Sequence, residues 1–271
     1  MTDRAVILAR GLGTRLRAGA EQVSTLTPGQ AAVAAAGVKA LMPVGGRPFL
    51  DHGLSRLADA GLSRVCLVIG PEHVAVRRYY EAVRPRRVRI ELAVQEEARG
   101  TADAVAAAAD FVGSDPFVVL NGDNLYPVEA LRALGALRSC GLAVFESEAL
   151  VRESNIDAAR IAKFAVVELD ARDRLTAIHE KPDPRFLAAR PGSVWVSMNA
   201  WRFDAAIFGA IRSLTPSPRG ELELPDAVRR LVARGEREFV AVRSGGAVLD
   251  LTGAQDVAAL EARLAGVEVD P

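Results

Sequence analysis

The sequence has few of the residues that build disulfide frameworks, metal clusters or membrane spans. Its 271 residues include two cysteines and three histidines, and neither set has the spacing of a disulfide framework or a metal site. No apolar run approaches the length of a membrane span, and no signal peptide is recognised. The 34 basic and 34 acidic side chains cancel, which argues against nucleic acid and anionic membranes as partners. We therefore expect a cytoplasmic globular protein.

Lysine is also scarce, and this scarcity is informative. Among the 34 basic residues only Lys39, Lys163 and Lys181 are lysines. A lysine at a strand or loop end is usually a solvated surface charge. In so arginine-rich a sequence, however, a remaining lysine suggests a use for its compact ammonium group. We therefore interpret Lys39 and Lys181 as anion-binding residues.

Strand and helix patterns alternate through the first half of the chain. Apolar strands are predicted at residues 6–9, 64–69, 88–94 and 117–120. Helices are predicted at residues 49–60, 72–83, 101–111, with Thr101 as its cap, and 127–138. Beyond residue 148 the pattern predicts strands at 163–169, 175–180, 195–203 and 239–242, and helices at 225–233 and 254–264. Continuous apolar strands between helices predict an α/β fold with a parallel sheet covered on both faces.

The first predicted strand runs directly into a glycine-rich turn that contains Gly11, Gly13 and Arg15. Small residues let backbone N–H groups approach an anion, and the arginine adds a fixed positive charge. The turn is not a Walker A loop, because no Gly-Lys-Ser/Thr follows, and Leu16 replaces the third glycine of the dinucleotide fingerprint. It predicts a phosphate-handling loop, and an ordinary tight turn after an edge strand is the alternative.

Two aspartates follow predicted strands. Asp123 comes after the strand at 117–120, and Asp250 follows the apolar pair Val248-Leu249. In such sheets ligands bind beyond the carboxyl ends of the strands, and Mg²⁺ needs one or two carboxylates plus phosphate oxygens. Asp123 alone is equally suited to capping the turn that follows it. Both residues are therefore candidates for Mg²⁺ binding in combination with the glycine-rich turn.

Six motifs in chain order resemble those of the sugar-1-phosphate nucleotidyltransferases, also called nucleotide-sugar pyrophosphorylases. They are residues 8–16, residues 39–44 with Arg47-Pro48, Gln95 with residues 100–104, residues 121–124, residues 180–182, and Leu249-Asp250. Residues 100–104 and 122–124 are most similar to the thymidylyl and uridylyl members. The resemblance implies a Rossmann-like, three-layer α/β fold of GT-A type, with a mixed, mostly parallel sheet and a small sugar-binding lobe. It also implies one domain, with a nucleotide-binding half at residues 1–147 and a sugar-phosphate-binding half at residues 148–271.

The resemblance further implies a role for each motif residue. The nucleotide-binding residues would be Leu8, Gly11, Gly13, Thr14, Gln95, Gly100, Thr101 and Gly122, with Gln95 and Gly100 facing the base. The catalytic residues would be Arg15 and Lys39 on the phosphates of the nucleotide, Asp123, and Lys181. The sugar phosphate would contact Glu180, Lys181 and Asn199. Asp123 and Asp250 would hold Mg²⁺ as the cofactor.

The implied reaction is Mg²⁺-dependent transfer of a nucleotidyl group from an NTP, with dTTP or UTP favoured, to a sugar 1-phosphate. The nucleophile is already an anion, so the chemistry calls for positioning, Mg²⁺ and cationic side chains rather than a general base. A GTP-dependent mannose- or heptose-1-phosphate guanylyltransferase and a non-catalytic, nucleotide-sugar-binding regulatory paralogue are the alternatives. A homo-oligomer is compatible with the apolar helices. No β-helix or second catalytic domain is recognised, so bifunctionality is not expected.

Three departures from the family pattern carry expectations of their own. Arg10 replaces a small residue and would either obstruct or supplement the triphosphate site. Residues 17–38 form a longer segment than usual, which predicts a mobile lid or a disordered surface loop. Trp201 replaces a smaller aromatic pattern and would narrow the sugar pocket.

Overall fold

The computed structural model describes residues 1–20, 22–190 and 192–271. Its strands are β1 (Arg4–Leu8), β2 (Pro43–Val44), β3 (Arg47–Pro48), β4 (Arg64–Ile69), β5 (Arg89–Val94), β6 (Phe117–Asn121), β7 (Asn124–Leu125), β8 (Cys140–Glu146), β9 (Ala165–Leu169), β10 (Leu175–His179), β11 (Trp195–Phe203), β12 (Phe239–Ser244) and β13 (Leu249–Asp250). Its helices are α1 (Thr14–Gly19), α2 (Pro28–Ala36), α3 (Phe49–Asp59), α4 (Val74–Val83), α5 (Thr101–Ala107), α6 (Ala109–Val112), α7 (Val128–Ala136), α8 (Ser147–Glu153), α9 (Ala158–Ile161), α10 (Pro184–Ala188), α11 (Ala206–Arg212), α12 (Leu224–Ala233) and α13 (Val257–Leu264). Short 3₁₀ turns cover Lys39–Leu41 and Ala254–Asp256.

A nine-stranded mixed sheet forms the centre of the molecule, in the order β10-β9-β11-β6-β1-β4-β5, with β8 also pairing with β11 and β12 pairing with β8. The strands β6, β1, β4 and β5 run parallel, as the sequence predicts. Strand β11 runs antiparallel to β6, β8 and β9, and joins this parallel part to the rest of the sheet. The predicted α/β fold with a mixed sheet is confirmed.

The parallel strands place several loops at one edge of the sheet. In the register of β1, Leu8 lies opposite Val68 on one neighbour and Asn121 on the other. The segments that follow β1, β4, β5 and β6 therefore all leave from the same edge, where ligands bind in sheets of this kind. This edge brings the glycine-rich turn close to Asp123.

Helices cover both faces of the sheet and bury its apolar side chains. On one face α5, α11 and α12 pack over strand residues such as Val119. On the other face α3, α4 and α7 pack over residues such as Val118. Each fully buried large aliphatic side chain contributes about 1.5–3 kcal/mol to folding. Because successive strand residues face opposite layers, both faces of the central strands must be apolar, which explains their continuous apolar runs.

Trp201 belongs to this core and not to a ligand pocket. The ring is completely buried, its centroid is 5.9 Å from that of Phe203, and its Nε1–H donates to Asn199 Oδ1 at 3.2 Å. The expectation that Trp201 narrows the sugar pocket is therefore wrong. Successive side chains of a strand point to opposite faces of the sheet. Ala200 on β11 packs in the apolar layer on one face, so Trp201, the next residue, packs in the apolar layer on the other face.

Residues 17–38, of which residue 21 lies outside the described part of the chain, contain regular helical structure and are not an irregular loop. They complete α1 and form α2, whose first turn carries a capping box between Thr27 and Gln30. Gln30 Nε2 also donates to the Pro43 carbonyl oxygen at 3.0 Å and to Glu261 Oε1 at 2.8 Å. Buried Leu16 and Ala34 pack in the same cluster as residues of α13. Long-range packing thus orders a segment whose composition suggested a loop.

Three smaller expectations also differ from the structure. Thr101 does not cap its helix, because Gly100 is the N-cap and the Thr101 hydroxyl accepts the Leu224 N–H at 2.9 Å. The predicted helix at 101–111 divides at Ala108 into α5 and α6. Cys140 begins strand β8, which the sequence analysis did not predict. Among the described residues, the helices are too short or too polar to span a membrane.

Candidate active site

Two adjoining cavities lie at the carboxyl edge of the parallel strands. The first has a volume of about 360 Å³ and is bounded by the glycine-rich turn, Lys39, Gln95 and the start of α5. The second has a volume of about 820 Å³ and is bounded by residues of β11, the β10–α10 connection, α9 and the segment after β13. Thr101, Asn121, Asp123 and Glu221 line both. Asp123 therefore lies where the two cavities meet.

Most of the residues predicted to bind nucleotide line the first cavity. They are Leu8, Gly11, Gln95, Gly100, Thr101 and Gly122. Gly122 is required by close packing, since a Cβ atom there would lie 2.9 Å from the Leu8 carbonyl oxygen. Gly13 and Thr14 do not line either of these two cavities in the described structure. Gly13 is instead the N-cap of α1, with φ of 61°, and packs against the backbone of Gly37.

Gln95 has its amide orientation fixed by two acceptors. Its Nε2 donates to the Gly100 carbonyl oxygen at 3.1 Å and to Asp103 Oδ2 at 2.8 Å. Because both partners only accept, the nitrogen must occupy this position, and both of its hydrogens are used. Oε1 is therefore the group that Gln95, which is 5 % exposed, can offer to a ligand in the first cavity.

Lys39, which was predicted to bind phosphate, forms an ion pair with Asp123, which was predicted to bind the metal. Lys39 Nζ lies 2.9 Å from Asp123 Oδ2, with side chains 16 % and 33 % exposed. Lys39 is carried by a 3₁₀ turn and Asp123 by the β6–β7 connection, so this pair forms only in the folded chain. The pair places a cation and a carboxylate together at the wall of the first cavity.

Asp250 is buried beside Asp123 in a dense hydrogen-bond network. Pairing of β7 with β13 sets Asn124 opposite Asp250, and Asn124 Nδ2 donates to Asp250 Oδ2 at 2.9 Å. The Thr252 hydroxyl donates to Asp250 Oδ1 at 2.5 Å, and Arg160 forms an ion pair with the same oxygen. Burial, together with the negative charge of Asp123, raises the pKa of Asp250 above its usual value.

Two aspartates are too few to bind a metal whose ligands all come from the protein, but they are enough for Mg²⁺, which also takes phosphate oxygens as ligands. Asp123 and Asp250 are close enough to repel each other, and a divalent cation between them would relieve that repulsion. In the part of the chain that the structure describes, no group of three or more His, Cys, Asp or Glu side chains could hold a metal. Mg²⁺ is usually held by one or two carboxylates plus phosphates, so this donor pair fits it.

The second cavity contains the residues predicted to bind the sugar phosphate, Glu180, Lys181 and Asn199. Lys181 and Asn199 have φ values of 45° and 57°, the left-handed region that non-glycine residues seldom adopt. Such conformations cost free energy and cluster at functional sites. Arg15 also lines this cavity and not the first one, which differs from its predicted position on the nucleotide phosphates.

The sequence interpretation did not identify several residues of the second cavity. They are Arg160, Lys163, Ser197, Arg219, Glu221 and Glu223, among others. Arg219 Nη2 lies 2.7 Å from Glu223 Oε1, and burial raises the pKa of Glu223, with Glu221 and Glu180 adding to the rise and Arg219 opposing it. The segment around Arg219 is held at the cavity by long-range contacts: the Leu222 N–H donates to the Arg99 carbonyl oxygen, and the Leu222 carbonyl oxygen accepts the Ala102 N–H. No local pattern reports such pairing.

The three histidines have structural partners and line neither cavity. His52 Nε2 bonds the Val44 carbonyl oxygen at 3.0 Å, and His73 Nδ1 accepts the Gly70 N–H at 3.3 Å. His179 Nε2 lies 3.0 Å from Glu168 Oε1. These contacts give all three histidines structural roles, which agrees with the absence of metal-site spacing among them in the sequence.

Comparison with known proteins shows relatives along nearly the whole chain. A UTP–glucose-1-phosphate uridylyltransferase, AglF of Haloferax volcanii, is 29 % identical over 261 residues, covering 96 % of each chain. A glucose-1-phosphate thymidylyltransferase of an Actinoplanes species is 29 % identical over 256 residues, covering 91 % of this chain and 73 % of its own. Other curated relatives are longer than this chain. Agl11, a low-salt glycan biosynthesis nucleotidyltransferase of Haloferax volcanii, is 28 % identical, and the chain spans 58 % of its length. The chain spans about half the length of several further relatives.

Solved structures share the fold. A UDP-glucose pyrophosphorylase complexed with UDP-glucose superposes with a TM-score of 0.74 at 16 % identity, covering 97 % of this chain and 98 % of that one. A Bacillus anthracis protein in complex with sucrose superposes with a TM-score of 0.72 at 24 % identity, covering 98 % and 96 %. The family model described as nucleotidyl transferase matches residues 4–257. The chain belongs to the nucleotidyl transferase family.

Proposed function

We propose that this chain transfers a nucleotidyl group from an NTP, with dTTP or UTP favoured, to a sugar 1-phosphate and releases pyrophosphate. One observation carries the proposal: two cavities meet at Asp123, one lined by the glycine-rich turn and the other by Glu180 and Lys181. A two-substrate transfer needs both ligands to meet at one point, and this arrangement supplies that point. The names of AglF and the Actinoplanes relative support the same reaction.

In the proposed step an oxygen of the sugar phosphate attacks the α-phosphorus of the NTP. The new P–O bond forms as the bond from the α-phosphorus to the bridging oxygen breaks, and pyrophosphate leaves with that electron pair. Both reactants are polyanions, so the main task is to offset their repulsion and hold them in line. Lys39 supplies a cation in the first cavity, and Lys181 supplies one in the second.

Asp123 and Asp250 would hold Mg²⁺ at this junction. When bound, the ion would neutralise charge on the phosphate oxygens during transfer. The protein contributes orientation: Asn124 and Thr252 donate to Asp250, and the Leu251 N–H donates to the Asp123 carbonyl oxygen at 2.8 Å. These contacts orient the Asp250 carboxylate and connect the backbone of Asp123 to the segment that follows Asp250.

The free Oε1 of Gln95 supports a base that carries a ring N–H. Uracil and thymine have this group at N3, and guanine has it at N1. This feature is consistent with dTTP or UTP and keeps GTP as the runner-up. The sugar is proposed at the level of a hexose 1-phosphate, since the relatives act on glucose 1-phosphate by name.

The test is pyrophosphate release in the presence of Mg²⁺, with each NTP and dTTP crossed against a panel of sugar 1-phosphates. We expect release that requires both a nucleotide and one particular sugar phosphate. Omitting either substrate or Mg²⁺ provides the control. Folded protein that binds nucleotide but releases no pyrophosphate with any pair would refute the transfer reaction and favour a regulatory role.

A further inference from the structure

Arg160 is a largely buried arginine at the wall of the second cavity, to which the proposed chemistry gives no role. It belongs to α9, it lines that cavity, and its side chain is 12 % exposed. Its guanidinium group lies between Asp250 and Asp256, whose side chains are 6 % and 7 % exposed. Buried charges are stable only when they are paired and hydrogen-bonded, so the two aspartates hold the guanidinium at a defined place. That place is directly beside a proposed metal ligand.

The contacts of Arg160 fix its guanidinium group on one oxygen of Asp250. Nη2 forms an ion pair with Asp250 Oδ1 and donates to Thr252 Oγ1 at 2.9 Å. Nη1 lies 3.2 Å from Asp256 Oδ1 and donates to the Asn155 carbonyl oxygen at 3.4 Å. Asn155 in turn accepts the Asp250 N–H on its Oδ1 at 2.9 Å and donates from Nδ2 to the Asp250 carbonyl oxygen at 2.7 Å. The segment that carries α9 therefore holds both the backbone and the carboxylate of Asp250.

These hydrogen bonds make the two carboxylate oxygens of Asp250 unequal. Each oxygen of an ionised carboxylate can accept about two hydrogen bonds. Oδ1 accepts from both Arg160 Nη2 and the Thr252 hydroxyl, so its capacity is used. Within the described part of the chain, Oδ2 accepts only from Asn124 Nδ2, at 2.9 Å. Asp250, which lines the second cavity, can therefore offer a cation one lone pair, on Oδ2.

Divalent ions differ in what they require from such a carboxylate. Mg²⁺ is small, demands near-ideal octahedral geometry, and is usually held by one or two carboxylates together with phosphates and water. Ca²⁺ takes a larger and more flexible set of oxygens and accepts carboxylates that bind through both oxygens. A carboxylate restricted to one oxygen therefore suits Mg²⁺, and one with both oxygens free also suits Ca²⁺. In this site the guanidinium group of Arg160 blocks the second mode of binding.

We propose that Arg160 is a positioning residue that determines metal specificity: it restricts Asp250 to binding through Oδ2 and so favours Mg²⁺ over Ca²⁺. Thr252 shares this role, since its hydroxyl takes the other acceptor position of Oδ1. Arg160 acts through Asp250 and does not itself contact the ion. The inference rests on the proposed function for the assignment of Asp123 and Asp250 to Mg²⁺, and it adds how the site selects its ion.

The test is displacement of Mn²⁺ by Mg²⁺ or Ca²⁺ from protein saturated with dTTP or UTP, without sugar phosphate, so that no transfer occurs. Water-proton relaxation reports bound Mn²⁺, and the readout is the ratio of the Ca²⁺ to the Mg²⁺ concentration at half-displacement. Arg160→Met removes the guanidinium group, and Thr252→Val frees one acceptor position of Oδ1 while keeping the arginine charge. Arg152→Met is the matched control, because Arg152 is exposed and lines neither cavity. Thermal unfolding verifies that each variant is folded.

We expect this ratio to fall about fivefold or more in Arg160→Met, because Asp250 can then offer both oxygens to Ca²⁺. The ratio should fall in the same direction, but less, in Thr252→Val, and it should not change in Arg152→Met. Loss of the arginine charge strengthens the binding of both divalent ions alike, so this effect cancels in the ratio.

A ratio that stays unchanged in both variants would overturn the inference and leave Arg160 as a structural ion-pair partner. Should Arg160→Met fail to fold because two buried aspartates lose their partner, Thr252→Val alone decides, and an unchanged ratio there overturns the inference. Asp123→Asn separates this inference from the proposed function. Mn²⁺ that binds wild type and Asp123→Asn equally would reject the proposed metal site, and the inference with it. Weaker binding of Mn²⁺ by Asp123→Asn together with an unchanged ratio would reject only the role of Arg160.

Discussion

At the scale of single residues, Asp123 connects the two cavities that we propose to bind the substrates. It lines both, it pairs with Lys39, and its backbone carbonyl accepts the N–H of Leu251 next to Asp250. The motif around it predicted a metal ligand, and the structure adds the ion pair and the buried neighbour. One carboxylate thus takes part in every proposed function of the junction.

Replacing this carboxylate tests its proposed role. We expect Asp123→Asn to lower kcat for pyrophosphate release about a hundredfold or more, because the amide cannot replace a negatively charged oxygen ligand for Mg²⁺. Unfolding in urea should be little changed, since Asp123 is partly exposed. Asp110→Asn, an exposed aspartate outside both cavities, is the control. Near-normal turnover of Asp123→Asn would remove Asp123 from the metal site.

Lys181 provides a second residue-level test, directed at the sugar phosphate. We expect Lys181→Ala to raise KM for the sugar 1-phosphate about tenfold and to change KM for the NTP much less, because the lysine lines only the second cavity. Steady-state kinetics with one substrate varied at a time measures the two effects. Arg185→Ala removes a nearby exposed cation and should leave both values unchanged. Equal effects on the two substrates would argue against a sugar-phosphate contact.

At the scale of elements, the glycine-rich turn depends on its packing against α2. Gly13 has φ of 61° and a Cβ atom there would lie 2.7 Å from Gly37 Cα, whereas a Cβ at Gly11 would meet nothing within 4 Å. The two glycines therefore serve different purposes. Gly13 permits the close approach of two backbones, and Gly11 keeps the cavity wall open.

Alanine substitution separates these purposes. We expect Gly13→Ala to lower the free energy of unfolding by about 1–3 kcal/mol, since it combines a left-handed backbone with overpacking. Gly11→Ala should change that free energy by less than about 0.5 kcal/mol. Urea unfolding followed by circular dichroism measures both. Equal free energies of unfolding for the two variants would show that the close contact between Gly13 and Gly37 is not needed for the stability of the fold.

Helix α3 gives the fold a defined response to acid. His52 Nε2 bonds the Val44 carbonyl oxygen, so this nitrogen carries the proton, and Nδ1 is buried without a partner in the described structure. Burial lowers the pKa of His52 below 6.5; Arg56 and Arg47 add to the lowering, whereas the Val44 contact and Asp51 oppose it. The folded state therefore prefers neutral His52 more strongly than the unfolded state does.

The sign of the resulting pH dependence follows from this preference. The contribution of neutral His52 to stability is complete above the unfolded pKa of about 6.5 and is lost as the pH falls below it, by at most about 1.4 kcal/mol per pH unit. His52→Gln retains an amide donor for Val44 and does not titrate, so its stability should fall less steeply on acidification. Urea unfolding across about pH 5 to 8 measures the two slopes. Identical slopes would exclude His52 as a source of acid sensitivity.

At the scale of the whole molecule, the two cysteines report on the integrity of the sheet. Cys66 on β4 and Cys140 on β8 are both buried, and burial raises the pKa of Cys66 to about 12. Burial also raises the pKa of Cys140. The thiolate, which is the reactive form, is therefore suppressed at both positions in the native state.

We expect a thiol reagent at about pH 8 to modify neither cysteine in native protein and both in urea. Because the two strands lie in different parts of one sheet, cooperative unfolding should expose both thiols with the same denaturant midpoint. Mass spectrometry of the modified peptides distinguishes the two sites. Rapid labelling of one cysteine in native protein would indicate that its part of the sheet opens independently.

The sequence by itself determined the elements with strong local patterns. Apolar runs between helices predicted β1, β4, β5 and β6 and hence the parallel part of the sheet. At β1, β4 and β6, burial on both faces leaves a continuous apolar signal. The motifs also identified most residues of the first cavity. Both kinds of information are local, since they depend on residue types at short spacing.

Only the tertiary structure decided which of these local features meet. Asp250 lies beside Asn124, 126 positions away in the chain, through the β7–β13 pairing, and the segment 17–38 is ordered by contacts to α13. Strand β8 and the cavity residues around Arg219 also escaped the sequence interpretation. The physical reason is that long-range pairing is selected by the free energy of the whole packed chain, to which a short pattern contributes only in part.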